Sequence, residues 1–413
     1  MTRPFARIAC VLVLCLTGGA AAAQGFETPA RAAWIYDQTT DTVLFEKNAD
    51  EPYPPASMSK LMTLYMAFEA IAAGDLSIED ELTVTEHAAS FGGSTMFLQA
   101  GDRVTVEDLL RGVIVLSGND ASVVLAEGLG GSERTFSNLM TQRARELGMT
   151  QSTFANASGW PDPEQRMSMR DLGILADHLI RDFPTFYPLF AEEEFLYNPE
   201  IPGNSQNRNP ILGLGIGADG LKTGHTEESG YGLVGSAKQG DRRIIFVFAG
   251  LDSAGARREE AERIVNWAFR QFSSRDLGEA GTQIAEARVW MGDAAEVGLV
   301  LAEDLSILTP SFALSEVSAE AVYQSPVQAP ISAGQELGEL VITRGELPEM
   351  RVPLVADRAV GEGGFGVRML TAAQILAAKV LPGGVPGLGL GETAGETPAE
   401  GAAEETAEET EDA

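Results

Sequence analysis

Residues 219–249 read DGLKTGHTEESGYGLVGSAKQGDRRIIFVFA, and this stretch decides the fold class. The pattern alternates from Tyr231 to Ala237, and a mostly apolar run extends from Arg243 to Ala249. A short polar segment with a glycine, Lys238 to Asp241, separates the two runs. Two β-like runs joined in this way predict a β-hairpin. Because a tight hairpin joins antiparallel strands, we expect a largely antiparallel sheet.

The surrounding sequence indicates the α+β class. From residue 24 to residue 275, strand patterns alternate with long helical patterns. A second hairpin is expected near the start, where Trp34–Tyr36 and Val43–Phe45 flank the polar residues 37–41. Helices of this number must bury their apolar faces against the sheet. We therefore expect an antiparallel sheet flanked by helices.

A short basic motif, Lys222-Thr223-Gly224, immediately precedes the hairpin of residues 231–249. The stretch from Asp219 to Thr226 opens directly onto the first hairpin strand. Lys222 and Thr223 should therefore lie on or beside an edge of the sheet. An exposed sheet edge is a place where the backbone of a substrate can pair as an added strand.

A second motif, Ser57-Met58-Ser59-Lys60, combines a weak nucleophile with a base. A serine hydroxyl needs a base within hydrogen-bond reach, about 2.6–3.2 Å, to attack at neutral pH. The prolines before it and the periodic apolar residues after it predict a helix that begins near Ala56 and is buried along one side. Ser57 and Lys60 then share one face on adjacent turns. A lone match of this kind is usually a helix cap with a solvated lysine.

A third motif, Ser117-Gly118-Asn119, follows the apolar run Leu109–Leu116. A glycine between two short polar residues predicts a tight break at the end of a buried segment. Such a turn can hold a hydroxyl and an amide rigidly against a cleft. All three motifs in this order, behind a secretory leader, indicate a penicillin-recognising serine acyl-enzyme.

The chain resembles the serine-type D-alanyl-D-alanine carboxypeptidases, which are low-molecular-mass penicillin-binding proteins. The resemblance extends over residues 30–272 and implies a penicillin-binding or serine β-lactamase-like domain followed by a small all-β domain. Further segments that carry it are Ser94–Leu98, Arg111-Gly112, Asp120-Ala121, Asn207–Asn209, His225-Thr226 and Gly230-Tyr231.

The resemblance implies a role for each motif residue. Ser57 is expected to attack the carbonyl of the penultimate D-alanine, and Lys60, kept neutral by burial and nearby positive charge, to take its proton. Ser117 is expected to relay a proton to the leaving amine, and Asn119 to bind the substrate amide and fix Lys60.

Lys222 is expected to supply positive potential, and the Thr223 hydroxyl to bind the terminal carboxylate of the substrate. Backbone N–H groups of Ser57 and His225 would form the oxyanion hole. Arg257 resembles a family arginine that helps to hold the same carboxylate. The alternative is an exposed arginine at the start of a helix over residues 259–272.

Two further side chains are candidates for positions near the cleft. Arg208 precedes the strand that carries Lys222, and we expect it to lie near the cleft as well. The side chain of His225 titrates near neutrality and could tune the pH response of the cleft. The three histidines His87, His178 and His225 are widely separated, so no metal site and no cofactor are expected.

Residues 1–23 have the composition of a secretory signal peptide, with Arg3 and Arg7, then an apolar run, then four alanines before Gln24. Both cysteines, Cys10 and Cys15, lie inside this leader. The formal charge of −31 becomes −33 without the two leader arginines, which makes nucleic acid an unlikely partner in our interpretation. The leader predicts export to the periplasm.

The sequence pattern changes after residue 275. Residues 276–357 contain short β-like runs separated by proline and glycine, which predicts a small sandwich. Residues 358–382 are expected to hold a short amphipathic helix, and the acidic residues 383–413 a disordered tail. Because that helix has few cations and the tail is acidic, we expect at most weak peripheral contact with the inner membrane.

Several functions can use the same catalytic set. The expected partners are peptidoglycan stem peptides ending in D-Ala-D-Ala and β-lactam antibiotics. A D,D-endopeptidase, a β-lactamase and a non-catalytic cell-wall-binding protein remain as alternatives. Residues 194–198 (EFLYN) mimic the glutamate-containing string of class A β-lactamases. Their place shortly before Lys222 favours a strand that approaches the sheet, so efficient β-lactam hydrolysis is not expected.

Overall fold

The computed structural model describes residues 26–311, 317–344 and 347–364, together with residues 366 and 369. The expected signal peptide, most of the expected helix of residues 358–382 and the expected acidic tail lie outside the described residues. Among the helices of the described ranges, none is both long and apolar enough to cross a bilayer.

The first region combines strands of three to ten residues with helices of four to eighteen residues. Its strands are β1 (Ala32–Asp37), β2 (Thr42–Lys47), β3 (Glu81–Thr83), β4 (Arg103–Thr105), β5 (Ala218–Thr226), β6 (Gly230–Gln239) and β7 (Arg242–Leu251). Its helices are α1 (Lys60–Ala73), α2 (Glu86–Ala89), α3 (Val106–Ile114), α4 (Asn119–Gly130), α5 (Glu133–Glu146), α6 (Met169–Asp182) and α7 (Ala254–Gln271). Short 3-10 turns cover Ala56–Ser59 and Tyr187–Ala191.

Five strands form one antiparallel sheet in the order β2-β1-β7-β6-β5. The two predicted hairpins are confirmed as β1–β2 and β6–β7. Strand β5, which carries Lys222 and Thr223, lies at the edge as predicted. The chain therefore presents its basic motif on a strand with one side unpaired within the sheet.

Strand β7 is the middle strand and is apolar on both faces. Ile245 and Val247 join the core shared with the helices of residues 60–182, whereas Phe246 and Phe248 join the core beneath α7. Side chains of a strand alternate between the two faces, so a strand covered on both faces is a continuous apolar run. This explains the run from Ile244 to Ala249 and confirms the α+β expectation.

Helix α1 differs from its predicted environment. Residues on every side of its first half, from Lys60 to Phe68, are buried, with the exception of Met66, which is partly exposed. The expectation of a helix buried along one side is therefore wrong. The apolar period was read correctly for one face, but helices α4, α5 and α6 and the sheet cover the others.

The second region is all-β, as predicted. It contains β8 (Phe272–Gly278), β9 (Gln283–Trp290), β10 (Glu296–Leu301), β11 (Leu305–Pro310), β12 (Val317–Tyr323), β13 (Val327–Gln328), β14 (Glu336–Arg344) and β15 (Leu347–Ala356). Six of these strands form a sheet in the order β12-β14-β15-β10-β9-β13, and β8 pairs with β11. Leu305 and Ile307 of β11 share a core with Leu340 and Leu354 of the sheet, which gives two packed layers.

Candidate active site

The turn that carries Ser57 is a 3-10 turn, Ala56–Ser59, which leads directly into α1. Ser57 is partly buried, and the Ser59 hydroxyl donates to the Ala56 carbonyl at 3.0 Å. The predicted helix start near Ala56 is confirmed, with tighter winding in its first turn. The N–H groups at such a start lack intrahelical partners and favour negative charge.

Two glycines allow neighbouring segments to approach this turn closely. A Cβ atom on Gly159, whose φ is +77°, would lie 1.9 Å from the Ala56 carbonyl oxygen. A Cβ on Gly224 would lie 2.8 Å from the Pro55 carbonyl oxygen. Any side chain at either position would push its segment away from Ser57. The glycine of the Lys-Thr-Gly motif therefore serves the packing of β5 against the nucleophile turn.

Lys60 lies at the bottom of the cleft and is fully buried. Its Nζ lies 2.9 Å from Ser57 Oγ and 2.7 Å from Asn119 Oδ1, and it also contacts the Ser158 carbonyl. Burial lowers the pKa of Lys60 to about 7, assisted by the charge of Arg208 and opposed by that of Asp120. The amine is thus close to half neutral near pH 7.

This arrangement suits a proton acceptor. A neutral amine has two N–H donors and one lone pair, and an ammonium has three donors. The neutral form of Lys60 can donate to Asn119 Oδ1 and to the Ser158 carbonyl, which leaves its lone pair for the Ser57 hydroxyl. After proton transfer, the ammonium still has three acceptors around it.

Ser117 and Asn119 lie on the turn between α3 and α4. Ser117 is buried and has a φ of +60°, which is unusual for a residue with a side chain. Asn119 begins α4 and donates from Nδ2 to the Gly92 carbonyl at 2.8 Å while its Oδ1 accepts from Lys60. The predicted tight turn is confirmed, and it places the Asn119 side chain against Lys60.

Asp120, the next residue, braces the opposite segment of the cleft wall. Its carboxylate accepts from the backbone N–H of Met96 at 2.9 Å and from that of Leu98 at 3.1 Å. Asp120 is buried, and its charge raises the pKa of Lys60 against the dominant effect of burial. One side chain therefore both shapes the loop and adjusts the base.

Lys222 and Thr223 on β5 are both buried, with exposed fractions of 2% and 5%. The Lys222 Nζ donates only weakly, at 3.3 Å, to the Thr223 carbonyl. Burial lowers the pKa of Lys222 well below its usual value, and Lys60, Arg208 and Arg257 act in the same direction. Lys222 therefore lies close to three other basic groups, Lys60, Arg208 and Arg257, whose charges oppose its protonation.

Arg208 is near the cleft, as expected from the sequence. Its guanidinium donates to the hydroxyl of Ser94, whose carbonyl accepts from the Asn119 N–H at 2.7 Å. Its positive charge lowers the pKa of Lys60, Lys222 and Arg257. A chain with a net charge of −31 thus gathers four basic side chains, Lys60, Lys222, Arg208 and Arg257, at one place. Such a cluster is suited to an anionic group of a substrate.

Arg257 faces inward, so the alternative of an exposed arginine is wrong. Helix α7 begins at Ala254, earlier than expected. Only 9% of the surface of Arg257 is exposed. Its guanidinium lies 5.5 Å from the centre of the Tyr231 ring, and that ring stacks on His225 at 3.9 Å. Arg257 Nε is buried without a hydrogen-bond partner among the described residues.

His225 itself is exposed at the mouth of the cleft. It pairs with Tyr231 across strands β5 and β6. The structure thus links His225, Tyr231 and Arg257 in one stack beside Thr223. Tyr231 was noted in the sequence as a strand residue and as part of a segment that carries the resemblance, but not as a stacking partner, because nothing in an alternating pattern marks one.

The sequence analysis missed the loop that supplies the Ser158 carbonyl. Asn156 Oδ1 accepts from the backbone N–H groups of Ser158, Gly159 and Trp160 at distances between 2.8 and 3.2 Å. These three hydrogen bonds hold the loop in the conformation in which the Ser158 carbonyl contacts Lys60. The string Asn156-Ala157-Ser158-Gly159 has turn composition, which was the available signal, but a backbone acceptor has no side-chain signature.

Residues 194–198 do not form a strand that approaches the sheet, so that prediction is wrong. Glu194 makes an isolated bridge with Gln206, and its carboxylate accepts from the Ser205 hydroxyl at 2.9 Å. The segment is an irregular excursion held by residues 205–207. No group of three or more histidine, cysteine or acidic side chains within the described ranges is arranged to hold a metal ion.

Known proteins resemble both regions of the chain. The family model described as D-alanyl-D-alanine carboxypeptidase matches residues 19–253, and that of the penicillin-binding protein 5 C-terminal domain matches residues 272–362. D-alanyl-D-alanine carboxypeptidase DacC of Escherichia coli (strain K12) is 38% identical, over 84% of this chain and 88% of its own length.

Two solved structures extend the likeness to the fold. Penicillin-binding protein 5 of Haemophilus influenzae has a TM-score of 0.73 and 34% identity, over 82% of this chain and 99% of its own. Penicillin-binding protein D2 of Listeria monocytogenes, in its cefotaxime-bound form, has a TM-score of 0.54 and 29% identity, over 59% of this chain and 98% of its own.

Proposed function

The chain belongs to the D-alanyl-D-alanine carboxypeptidase family, and from this premise we propose that it removes the terminal D-alanine of peptidoglycan stem peptides through an acyl-enzyme on Ser57. The observation that carries the proposal is the fully buried Lys60, whose Nζ lies 2.9 Å from Ser57 Oγ. A lysine with a pKa of about 7 is available as a base in the pH range of the cell envelope.

Acylation follows from this geometry. Neutral Lys60 takes the Ser57 proton as Oγ bonds to the carbonyl carbon of the penultimate D-alanine. The developing oxyanion is stabilised by backbone N–H groups, assigned to Ser57 and His225. The tetrahedral intermediate then breaks its C–N bond, and a proton relayed through Ser117 goes to the leaving amine. Water attacks the resulting ester, with the same base, and returns free Ser57.

Recognition of the terminal carboxylate explains why the reaction is that of an exopeptidase. The Thr223 hydroxyl is assigned to donate to it, and the neighbouring Lys222, which lies close to other basic groups, is assigned to supply positive potential. Arg257 has a buried Nε without a partner among the described residues, so it has a donor to offer. Asn119, already tied to Lys60, is assigned to the amide of the penultimate residue.

Inhibition by β-lactams follows from the same chemistry. A β-lactam presents a strained amide and a carboxylate, and the Listeria relative was solved with cefotaxime bound. We expect Ser57 to be acylated by such compounds. The Glu194 carboxylate is engaged by the Ser205 hydroxyl at 2.9 Å, which supports slow hydrolysis of that acyl-enzyme.

The domain division and the location belong to this proposal as well. Residues 24–275 would form the catalytic domain and residues 276–357 a small β domain that supports it. The apolar leader of residues 1–23 supports export to the periplasm. The few cations after residue 357 support at most weak peripheral contact with the inner membrane.

One experiment separates the proposal from its alternatives. Purified protein is incubated with a pentapeptide ending in D-Ala-D-Ala, with a cross-linked peptide dimer and with a fluorescent penicillin. Release of D-alanine from the pentapeptide, lost in Ser57→Ala and kept in the neighbouring Ser59→Ala, supports the carboxypeptidase. Preferential cleavage of the dimer supports an endopeptidase, and rapid loss of the fluorescent label by hydrolysis a β-lactamase. Full activity of Ser57→Ala would contradict the assignment.

A further inference from the structure

The loop of residues 155–160 brings the Ser158 carbonyl to the fully buried Lys60. Residues 157–159 are buried, and all six residues of the loop lie outside the helices and strands. Because the backbone groups of this loop have no ladder to join, the buried ones must find side-chain partners. The position of the Ser158 carbonyl, and with it the orientation of the Lys60 amine, therefore depends on those partners.

Neutral amides hold most of the N–H groups of the loop. Gln165 Oε1 accepts from those of Ala155 at 2.6 Å and Asn156 at 3.2 Å. Asn156 Oδ1 in turn accepts from those of residues 158–160. The N–H group of Ala157 is the exception, because its partner is a carboxylate.

That carboxylate belongs to Glu133, the first residue of α5. Its Oε1 accepts from the Ala157 N–H at 3.1 Å, and its Oε2 lies 3.1 Å from His87 Nε2 of helix α2. Only 12% of the Glu133 side chain is exposed, and a carboxylate in such a place is costly unless its charge is compensated. The positive end of α5, which is capped by Ser132, and the hydrogen bond from His87 provide that compensation.

Ala157 is held on its other side by α1. Its carbonyl accepts from the fully buried Thr63 hydroxyl at 2.7 Å. Thr63 lies one turn after Lys60, so two successive carbonyls of the loop accept from two neighbouring side chains of one helix. Glu133 closes this arrangement from α5, and a charged acceptor makes a hydrogen bond roughly twice as strong as a neutral one. Ala157 is thus fixed between two helices directly before Ser158.

We propose that Glu133 is a positioning residue for acylation, because it holds the loop in which the Ser158 carbonyl reaches Lys60. The inference rests on the proposed function of the cleft, in which Lys60 is the base. Glu133 is not among the groups assigned to the substrate, and it acts on the amine through the loop. With the carbonyl in place, two contacts of the amine are fixed and its lone pair is directed to Ser57.

The test is the rate of acylation by benzylpenicillin in Glu133→Ala, measured from pH 5 to pH 9 on the full-length mature protein. Displacement of the Ser158 carbonyl misdirects the base, and a misplacement of this kind lowers a rate by roughly 10- to 100-fold. The ammonium form of Lys60 also loses an acceptor, so the midpoint of the rate profile should move to lower pH. Arg208 and Asp120, whose charges act on Lys60, are unchanged in this variant.

Glu133→Gln is the conservative variant, and it should rescue the reaction. Its Oε1 still accepts from the Ala157 N–H, so we expect a rate within about threefold of that of the parent protein and an unchanged midpoint. His87→Ala also keeps the Ala157 contact and should behave in the same way. The matched control is Glu146→Ala at the last residue of α5, which removes a carboxylate paired with Arg143 at 2.9 Å and should retain the rate and midpoint of the parent.

Thr63→Val provides a second test if Glu133→Ala fails to fold. This variant releases the Ala157 carbonyl from α1 at nearly constant side-chain volume. The loop then loses its anchor on the other side, so a slower acylation and a midpoint at lower pH are expected again. A parent-like rate and midpoint in Thr63→Val would contradict the dependence of the base on this loop.

The failures are distinguishable. A parent-like rate and midpoint in Glu133→Ala would overturn the positioning role while leaving the carboxypeptidase assignment in place. A slower rate with an unchanged midpoint, or an equal loss in Glu133→Gln or His87→Ala, would overturn it too, because the effect would then not arise from the Ala157 contact. Absence of both penicillin acylation and D-alanine release in the parent protein would overturn the proposed function, and the positioning role with it.

Discussion

The Ser57 turn and the edge strand β5 each bury a lysine, but they surround it differently. Lys60 has three polar partners, Ser57, Asn119 and Ser158, and its pKa lies at about 7. Lys222 has one long contact, at 3.3 Å to the Thr223 carbonyl, and lies among other cations. The first environment serves either protonation state, and in the second no acidic side chain of the described residues contacts the amine. From this difference we propose proton transfer for Lys60 and anion binding for Lys222.

The largest effect is expected from Lys60→Met, which keeps the length of the side chain but removes the base. General-base catalysis contributes about 10²–10⁴-fold, so acylation of Ser57 by benzylpenicillin should slow by about 10³-fold. Stopped-flow or gel-based labelling with a fluorescent penicillin measures the rate. Lys238→Met, at an exposed position on β6, is the matched control and should retain the rate of the parent protein.

Lys222→Met tests the other side of the comparison. Hydrogen bonds to charged groups contribute about 1.5–3 kcal/mol, which corresponds to roughly 10- to 100-fold. We expect kcat/KM for a D-Ala-D-Ala peptide to fall by this factor, with a smaller fall for the same peptide with a C-terminal amide. Peptide hydrolysis followed by chromatography gives both values. An equal fall for acid and amide would remove Lys222 from carboxylate recognition.

A smaller effect is expected from Asp120→Asn, which removes the negative charge of Asp120. The carboxylate holds the Met96 and Leu98 N–H groups, and its charge raises the pKa of Lys60. Acylation should slow by about tenfold, as expected for loss of a buried charge-assisted contact. Without the negative charge, the pKa of Lys60 falls further, so the midpoint of the acylation pH profile should move to lower pH. A shift to higher pH would contradict the role of Asp120.

Sequence patterns were sufficient for the elements whose signal is local. The alternation from Tyr231 to Ala237 and the run from Arg243 to Ala249 predicted the hairpin, and the place of Lys222 before it predicted the edge strand. The break at Ser117-Gly118-Asn119 was equally local. In each case the residues that carry the pattern also make the structure.

Other features depend on contacts between distant segments and had no local signal. The Ser158 carbonyl reaches Lys60 from 98 residues away, through a backbone atom that every residue possesses. Arg257, on helix α7, is buried, and Tyr231, on strand β6, lies under its guanidinium. The segment at Glu194 was read as a strand, but its hydrogen bonds go to residues 205–207 and not to the sheet.

The pH dependence of Ser57 acylation tests the central claim most directly, because the base must be neutral to act. The second-order rate of acylation by benzylpenicillin is measured from pH 5 to pH 9, with protein stability checked at each pH. The rate should rise with pH through an apparent pKa of about 7, where Lys60 loses its proton. A rate that stays constant across this range would contradict Lys60 as the base.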